Sequence, residues 1–75
     1  MHADDPPETT VLTALDANPT LHVSELAERV GGDPRLVDQV CHDLEVDGYV
    51  RSRTAGLYSI TAKGQRRLRT LIATR

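Results

Sequence analysis

The chain has 75 residues, enough for one small domain with a limited core and too few for a large ligand pocket beside that core. Its net charge of −2 conceals a split, because all eleven acidic residues lie in residues 1–47 and seven of the nine basic residues lie in residues 48–75. Such a split indicates either a basic surface for a polyanion or two parts of the fold that attract each other.

The composition also bears on the setting of the protein. Cys41 is the only cysteine, so no disulfide can form within the chain, and we expect a reducing, cytoplasmic environment. No apolar run approaches the roughly 20 residues that span a bilayer. Residues 1–7 are acidic and polar, unlike a signal peptide, so no membrane partner is expected. The preference for Arg over Lys and for Asp over Glu resembles the residue usage of salt-loving archaea.

The first predicted element is a helix. Asp5 is placed to cap it, and Pro6 suits the first helical position. Asn18-Pro19 ends the helix, because the residue before a proline is disfavoured in the helical conformation. Residues 1–4 are predicted to be a disordered tail. The apolar residues that recur on one helical face, and so predict the buried side, are Val11, Leu12 and Leu15.

A short extended segment and a second helix follow. Residues 21–23 are predicted to be extended, and Ser24 is placed to cap a helix that ends near Val30. The pair Gly31-Gly32 breaks this helix. The side that we expect to face the core carries Leu26, Ala27 and Val30.

The third helix begins by a similar combination of cap and proline at Asp33-Pro34. It is predicted to run to about Asp47 and to be stopped by Gly48. Plotted at about 100° per residue, its apolar residues fall on one side, which we expect to be buried. These residues are Leu36, Val37, Val40, Cys41 and Leu44.

A hairpin and a fourth helix complete the chain. Residues 49–53 and 57–61 are predicted strands, separated by a connection short enough for a tight turn. Thr61 is placed to cap the fourth helix, which runs to about Thr74. Gly64 lies in its first turn, where we expect glycine to cost little. The apolar stripe of this helix consists of Leu68, Leu71 and Ile72.

The predicted fold class is mainly α with a small β-hairpin, in the order α-β-α-α-β-β-α and in a single domain over residues 1–75. Three segments resemble the winged helix-turn-helix family, in particular its short MarR-, ArsR- and PadR-like regulators of bacteria and archaea. They are residues 24–27 (Ser-Glu-Leu-Ala), 44–50 (Leu-Glu-Val-Asp-Gly-Tyr-Val) and 58–64 (Tyr-Ser-Ile-Thr-Ala-Lys-Gly). The match covers most of residues 8–70. The resemblance implies a sequence-specific regulator of transcription that binds double-stranded DNA, with helix 3 in the major groove and residues 49–61 as a wing on the backbone or minor groove.

Helix 3 carries a polar face opposite its apolar one. The residues of this face are Arg35, Asp38, Gln39 and His42. Arg35 could form a forked pair with guanine, Gln39 could pair with adenine, and His42 could donate to a base or a phosphate. Asp38 could accept from a cytosine amino group, but its charge repels nearby phosphates. The alternative interpretation is a solvated polar face.

The wing offers a second set of candidate contacts. In the first strand of the hairpin, alternation places Arg51 and Arg53 on one face of the strand. With Thr54 at the tip, they are the best candidates for phosphate contacts, which dominate the affinity of proteins for DNA. The alternative is an arginine pair that protects an edge strand from aggregation.

Helix 4 has a basic face whose partner the residues leave open. Its members are Lys63, Arg66, Arg67 and the flanking Arg69, with Thr70. They could be solvated, or could meet the acidic residues of helices 1 and 2 in the same or a second chain. Those acids are Asp16, Glu25 and Glu28. We favour a homodimer in which Leu68, Leu71 and Ile72, together with helix 1, form a seam.

No signal for catalysis, a metal or a cofactor is found. Cys41 is expected to be a small buried residue rather than a redox sensor, and the three histidines lack metal-ligand spacing. Two alternative functions remain. The acids on helix 3 and the basic helix 4 would suit a protein–protein interaction module of a transcription or replication complex. Binding of double-stranded RNA or chromatin is disfavoured by the acidic overall charge.

Overall fold

The computed structural model describes residues 7–18, 20–54 and 56–73. The elements are α1 (Pro7–Ala17), β1 (Leu21–His22), α2 (Val23–Val30), α3 (Pro34–Val46), β2 (Val50–Ser52), β3 (Leu57–Ile60) and α4 (Ala62–Ala73). Their order confirms the predicted winged helix-turn-helix. The predictions for residues 1–4, Asp5, Pro6 and Pro19 lie outside the described residues.

The three strands form one antiparallel sheet in the order β1-β3-β2. The short segment β1 is therefore a third strand, with Leu21 opposite Tyr58. Tyr58 also lies opposite Ser52 of β2. Because paired residues share a face of the sheet, these three side chains lie on one side, and the buried Leu21 and Tyr58 show that this side faces the helices.

The core is built around α1, whose Val11, Leu12 and Leu15 are buried as predicted. Leu68 of α4 joins this core, Leu71 packs against its edge, and Ile72 is 50% exposed. Part of the apolar stripe that was predicted to form a dimer seam therefore belongs to the core of the single chain. The other buried apolar residues are Leu21, Leu26, Ala27, Val37, Cys41, Leu44, Val50 and Tyr58. Within the described residues, no helix is both long and apolar enough to cross a membrane.

The prediction that Leu36 faces the core is wrong, because its side chain is 67% exposed. The buried residues Val37, Cys41 and Leu44 define the inward direction of α3. At about 100° per residue, Leu36 lies roughly 100° from that direction. The side chain therefore projects from the flank of the helix into solvent.

The start of α2 also differs from the prediction. His22, not Ser24, is the N-cap: its Nδ1 accepts a hydrogen bond from the Ser24 backbone N–H, and the Glu25 carboxylate accepts one from the His22 N–H. Pairing with β3 fixes His22 in the extended conformation that an N-cap requires. Two other predicted ends are confirmed: Asp33 caps α3, and Gly31 ends α2 at a φ of 72°.

Gly64 is more constrained than its place in the first turn of α4 suggested. It is buried against the backbone of residue 49, and a Cβ at this position would overlap the Tyr49 carbonyl oxygen. The predicted cap is confirmed, because the Gly64 N–H donates to Thr61 Oγ1 at 3.0 Å. The structure adds a requirement that the sequence did not show: the absence of a side chain at Gly64 allows α4 to pack on the base of the wing.

Candidate nucleic-acid interface

The outward side of α3 presents three of the four predicted candidates in a row. Arg35, Gln39 and His42 are all exposed, and their spacing of four and three residues keeps them on one helical face. The side chains of Arg35 and His42 bond to no residue that the structure describes. Gln39 Nε2 donates to Asp43 Oδ1 at 3.2 Å, a contact on the surface of the helix. This face is therefore available to a partner.

Asp38, the fourth candidate, is directed elsewhere. The Tyr58 hydroxyl donates a hydrogen bond to Asp38 Oδ1 at 2.7 Å, which joins α3 to β3. The side chain of Tyr58 is itself buried, and burial, followed by this hydrogen bond, raises the pKa of its hydroxyl. Asp38 thus differs from the other three candidates in having a partner inside the fold.

The wing holds its arginines on the surface away from the helices. Ser52 shares the inward face of the sheet with Val50, so the intervening Arg51 projects from the other face. Arg51, Arg53 and Thr54 are exposed. Neither arginine side chain is paired with any residue of the described ranges. The turn is closed by the Leu57 N–H, which donates to the Thr54 carbonyl oxygen at 2.9 Å.

The basic residues of α4 divide into two groups. Arg67 pairs with Glu8 of α1 at 2.9 Å, and this hydrogen bond and charge raise the pKa of Arg67. Lys63 donates to the Asp47 carbonyl oxygen at 2.9 Å. Arg66 and Arg69 are exposed, and their side chains pair with no described residue. Half of the basic face is thus used inside the fold.

The acids that were expected to meet this basic face are a different set. Arg67 of α4 contacts Glu8, because the first turn of α1 lies beside it. The acids that were expected to meet the basic face were instead Asp16, Glu25 and Glu28. Asp16 instead accepts from the amide of Gln65 at 3.3 Å. Attraction between the acidic and basic parts of the chain is therefore real, but it is confined to one ion pair among the described residues.

Tyr49 links these contacts to the wing. Lys63 Nζ and Arg67 Cζ lie 5.3 Å and 5.8 Å from the centroid of its ring, within the range of cation–π interaction. Tyr49 thus contacts both Lys63 and Arg67 at the junction of α3, β2 and α4. The two arginines of the wing differ from Lys63 and Arg67 in having no such internal contact within the described residues.

Neither a reactive thiol nor a cluster of metal ligands is found among the described residues. Burial, with smaller contributions from Asp38 and Glu45, raises the pKa of the Cys41 thiol to about 12. Because the thiolate is the reactive form of cysteine, this thiol is unreactive at neutral pH. In the described ranges, no three His, Cys, Asp or Glu side chains are grouped so that they could hold a metal ion.

A family model described as the DprA winged helix domain matches residues 2–56, which is more than half of the chain. The chain belongs to the DprA winged helix domain family. Comparison with curated proteins found no match. For this DprA-type domain, the family match and the element order agree on a winged helix.

Solved structures resemble this DprA-type domain closely. The PcaV transcriptional regulator from Streptomyces coelicolor has 31% identity and a TM-score of 0.80, over 95% of this chain and 57% of that one. The MarR family protein Rv2887 from Mycobacterium tuberculosis, in complex with DNA, has 28% identity and a TM-score of 0.81, over 91% and 53%. YusO from Bacillus subtilis has 26% identity and a TM-score of 0.81, over 91% and 52%. The DprA-type domain therefore spans about half the length of these structures, and its predicted likeness to MarR-family regulators is confirmed.

Sequence reasoning missed the residues that join α3 to the wing of this DprA-type domain. Glu45 accepts from the Ser52 hydroxyl at 2.8 Å, much as Asp38 accepts from Tyr58. A signal was present: Asp38 and Glu45 are seven residues apart, which places them on the same side of a helix. The partners of that side were not visible, because Ser52 and Tyr58 come together only in the sheet.

Proposed function

We propose that this chain is a sequence-specific regulator of transcription that binds double-stranded DNA, with α3 in the major groove and the wing on the backbone or minor groove. The observation that carries the proposal is the presence, on two adjoining elements, of exposed arginines whose side chains pair with no described residue: Arg35 on α3 and Arg51 and Arg53 on the wing. The likeness to a MarR family protein that is described in complex with DNA supports it.

Each candidate residue has a proposed role. Arg35 and Gln39 lie in the first half of α3, and the N-terminal part of a recognition helix is the part that contacts base edges. We assign Arg35 to guanine and Gln39 to adenine, by the pairings that their donor and acceptor groups favour. His42 would donate to a base or a phosphate one turn further along. These three residues would set the preferred sequence.

The wing would supply affinity rather than sequence preference. Arg51 and Arg53 would neutralise phosphates, and the Thr54 hydroxyl would donate to a phosphate oxygen at the tip. Since contacts to phosphate carry no direct sequence information, their loss should weaken binding to all sequences alike. Asp38 was a candidate for a cytosine contact, and its bond to Tyr58 favours a role inside the fold instead.

The test is selection of bound fragments from a random DNA pool at two salt concentrations. The unmodified chain should enrich one site. The double variant Arg51→Ala/Arg53→Ala should bind every fragment more weakly and with a shallower dependence on salt, by about two units of the log–log slope for each bound chain. The matched control is Arg66→Ala/Arg69→Ala, which removes the same charge from the exposed side of α4. Equal losses in both double variants would contradict the proposed role of the wing.

We also propose that the regulator is a cytoplasmic homodimer without enzymatic activity. The exposed Ile72 and the half-buried Leu71, beside α1, would form the seam between the two copies. A dimer of this kind would favour a palindromic site. Enrichment of a single half-site in the selection, without a symmetric second half, would contradict a dimer on DNA.

A protein-interaction module is the second candidate. The observation that favours it is the acidity near the reading face, where Asp33 and Asp43 are exposed beside Arg35 and Gln39. An acidic surface of this kind attracts a basic protein partner and repels the phosphates of DNA. Failure of the unmodified chain to shift any DNA fragment at low salt, together with a stoichiometric protein partner in a pull-down, would replace the first proposal by this one.

A further inference from the structure

Two carboxylates of α3, those of Asp38 and Glu45, accept hydrogen bonds from residues of the wing. The Tyr58 hydroxyl donates to Asp38 Oδ1 at 2.7 Å. The Ser52 hydroxyl donates to Glu45 Oε2 at 2.8 Å, and the Ser52 backbone N–H donates to the same oxygen at 3.4 Å. Acidic residues on a helix that reads DNA are unfavourable for binding, so their specific partners indicate another role.

The arrangement of the four residues is that of a two-point attachment. Asp38 and Glu45 lie two turns apart on one side of α3, about 10 Å along the helix axis. Ser52 and Tyr58 are directly opposite each other on β2 and β3. One pair of cross-strand neighbours therefore contacts α3 at two separated places. Two such contacts restrict the tilt of a helix against a sheet, which a single contact cannot do.

Pairing with β1 holds the β3 side of the wing, whereas β2, the strand beside α3, is short and mostly exposed. The strands of the wing contain three and four residues, and of the β2 residues only Val50 is buried. Hydrogen bonds to an ionised carboxylate are shorter and stronger than those between neutral groups. The two carboxylates are thus well suited to hold a short hairpin against a helix.

We propose that Asp38 and Glu45 are positioning residues for DNA binding, which fix α3 and the wing at the relative angle that both need to contact one duplex. This proposal rests on the proposed function. A binding surface that is already arranged loses less freedom when its ligand binds. The affinity gained from preorganising α3 and the wing would offset the repulsion between these two carboxylates and the phosphates.

Paired substitutions at Asp38 separate positioning from charge. Asp38→Asn removes the negative charge but keeps an oxygen that accepts from Tyr58, whereas Asp38→Ala removes both. Positioning predicts that the Asn variant binds its selected DNA site as tightly as the unmodified chain or more tightly, and that the Ala variant binds about tenfold more weakly. Glu45→Gln and Glu45→Ala should behave in the same way. Equal tightening in the Asn and Ala variants would overturn the proposal, because charge alone would then explain both.

A double-mutant cycle tests whether the attachment acts through the wing. Tyr58→Phe keeps the buried ring and removes the hydroxyl, and it should weaken DNA binding about tenfold. In the background Arg51→Ala/Arg53→Ala, the same change should cost less than twofold, because the wing no longer contributes. Circular dichroism at the assay temperature would check that every variant is folded. The same loss in both backgrounds would contradict positioning of the wing.

Amide hydrogen exchange gives a readout that does not involve DNA. Exchange at Arg53 and Leu57, whose N–H groups close the wing turn, should be faster in Asp38→Ala than in Asp38→Asn. Identical exchange in the two variants would overturn the proposal. If the unmodified chain binds DNA but the affinities of the Asp38 variants follow charge alone, the positioning role is contradicted. The proposal that the chain is a DNA-binding regulator is then unaffected. If the unmodified chain binds no DNA, both proposals fail.

Discussion

Cys41 shows how one residue couples burial to the charges of its own helix. Its side chain is fully buried on the inward side of α3, one turn from Asp38 and from Glu45. Burial is the larger cause of the raised pKa of its thiol, and the two carboxylates add to it. The carboxylates that attach α3 to the wing therefore add to the effect of burial, which keeps this thiol protonated and unreactive.

The raised pKa of Cys41 predicts a loss of stability in alkaline solution. Below its ordinary pKa of 9.0 the thiol is protonated in both the folded and the unfolded state. As the pH rises from 9 towards 12, the unfolded chain releases this proton while the folded chain retains it, so the free energy of unfolding falls. Between pH 8 and pH 10 this group should remove roughly 1 kcal/mol.

Urea unfolding at pH 8 and pH 10 would measure this loss, with Cys41→Ala as the comparison. The variant should lose about 1 kcal/mol less than the unmodified chain over that interval. Tyr58, whose pKa is also raised, contributes to both proteins and largely cancels in the difference, because Cys41 is only a minor cause of its shift. An equal loss in the two proteins would mean that Cys41 does not carry the effect.

The junction between the wing and α4 depends on contacts between backbones. The Thr61 N–H donates to the Tyr49 carbonyl oxygen at 3.0 Å, and the Thr61 hydroxyl donates to the Gly48 carbonyl oxygen at 2.7 Å. Gly64 follows, with no side chain to separate α4 from residue 49. This close approach lets one helix begin directly at the base of the hairpin and places Lys63 and Arg67 over Tyr49.

Gly64→Ala should therefore destabilise the fold although alanine is the better helix former. Alanine gains about 1 kcal/mol in helix propensity, but its methyl group would meet a backbone carbonyl that cannot rotate away. We expect a net loss of about 1–3 kcal/mol in the free energy of unfolding. Gly32→Ala is the control: a Cβ there meets only ordinary contacts at 3.5 Å and 3.7 Å, and the change should stay within about 0.5 kcal/mol. Similar losses in both variants would contradict the steric explanation.

Over the whole molecule, charge is distributed by element rather than by halves. The ion pair Arg67–Glu8 closes α1 on α4, while Arg51, Arg53, Arg66 and Arg69 remain exposed. These four exposed arginines occupy two separate elements, the wing and α4. The wing pair suits DNA, and the α4 pair lies on the same helix as the exposed Ile72. The basic part of the sequence thus supplies two different surfaces.

The proposed dimer predicts an effect of Ile72 on assembly. Ile72→Glu should convert a dimer to a monomer, because a buried, unpaired carboxylate at a seam is unfavourable. Leu36→Glu is the matched control, since Leu36 is also exposed but lies on α3, away from the proposed seam. Sedimentation equilibrium would measure the mass of each. A monomeric unmodified chain, or dissociation by both substitutions, would contradict the seam.

Local signals in the sequence determined most of the fold. Asp33-Pro34, Gly31 and Gly48 set helix ends because capping and positive φ depend on a few neighbouring residues. The alternation around Arg51 predicted the exposed arginines of the wing for the same reason. These features follow from chemistry within one or two turns of the chain.

Only the tertiary structure showed which residues far apart in the sequence are in contact. Tyr58 meets Asp38 across twenty positions, and Arg67 meets Glu8 across fifty-nine, so neither contact leaves a local pattern. Packing also made Gly64 a point of close approach that its helical position did not indicate. Sequence periodicity gives the direction of a side chain on its own element, whereas the contact it makes depends on which other element lies there.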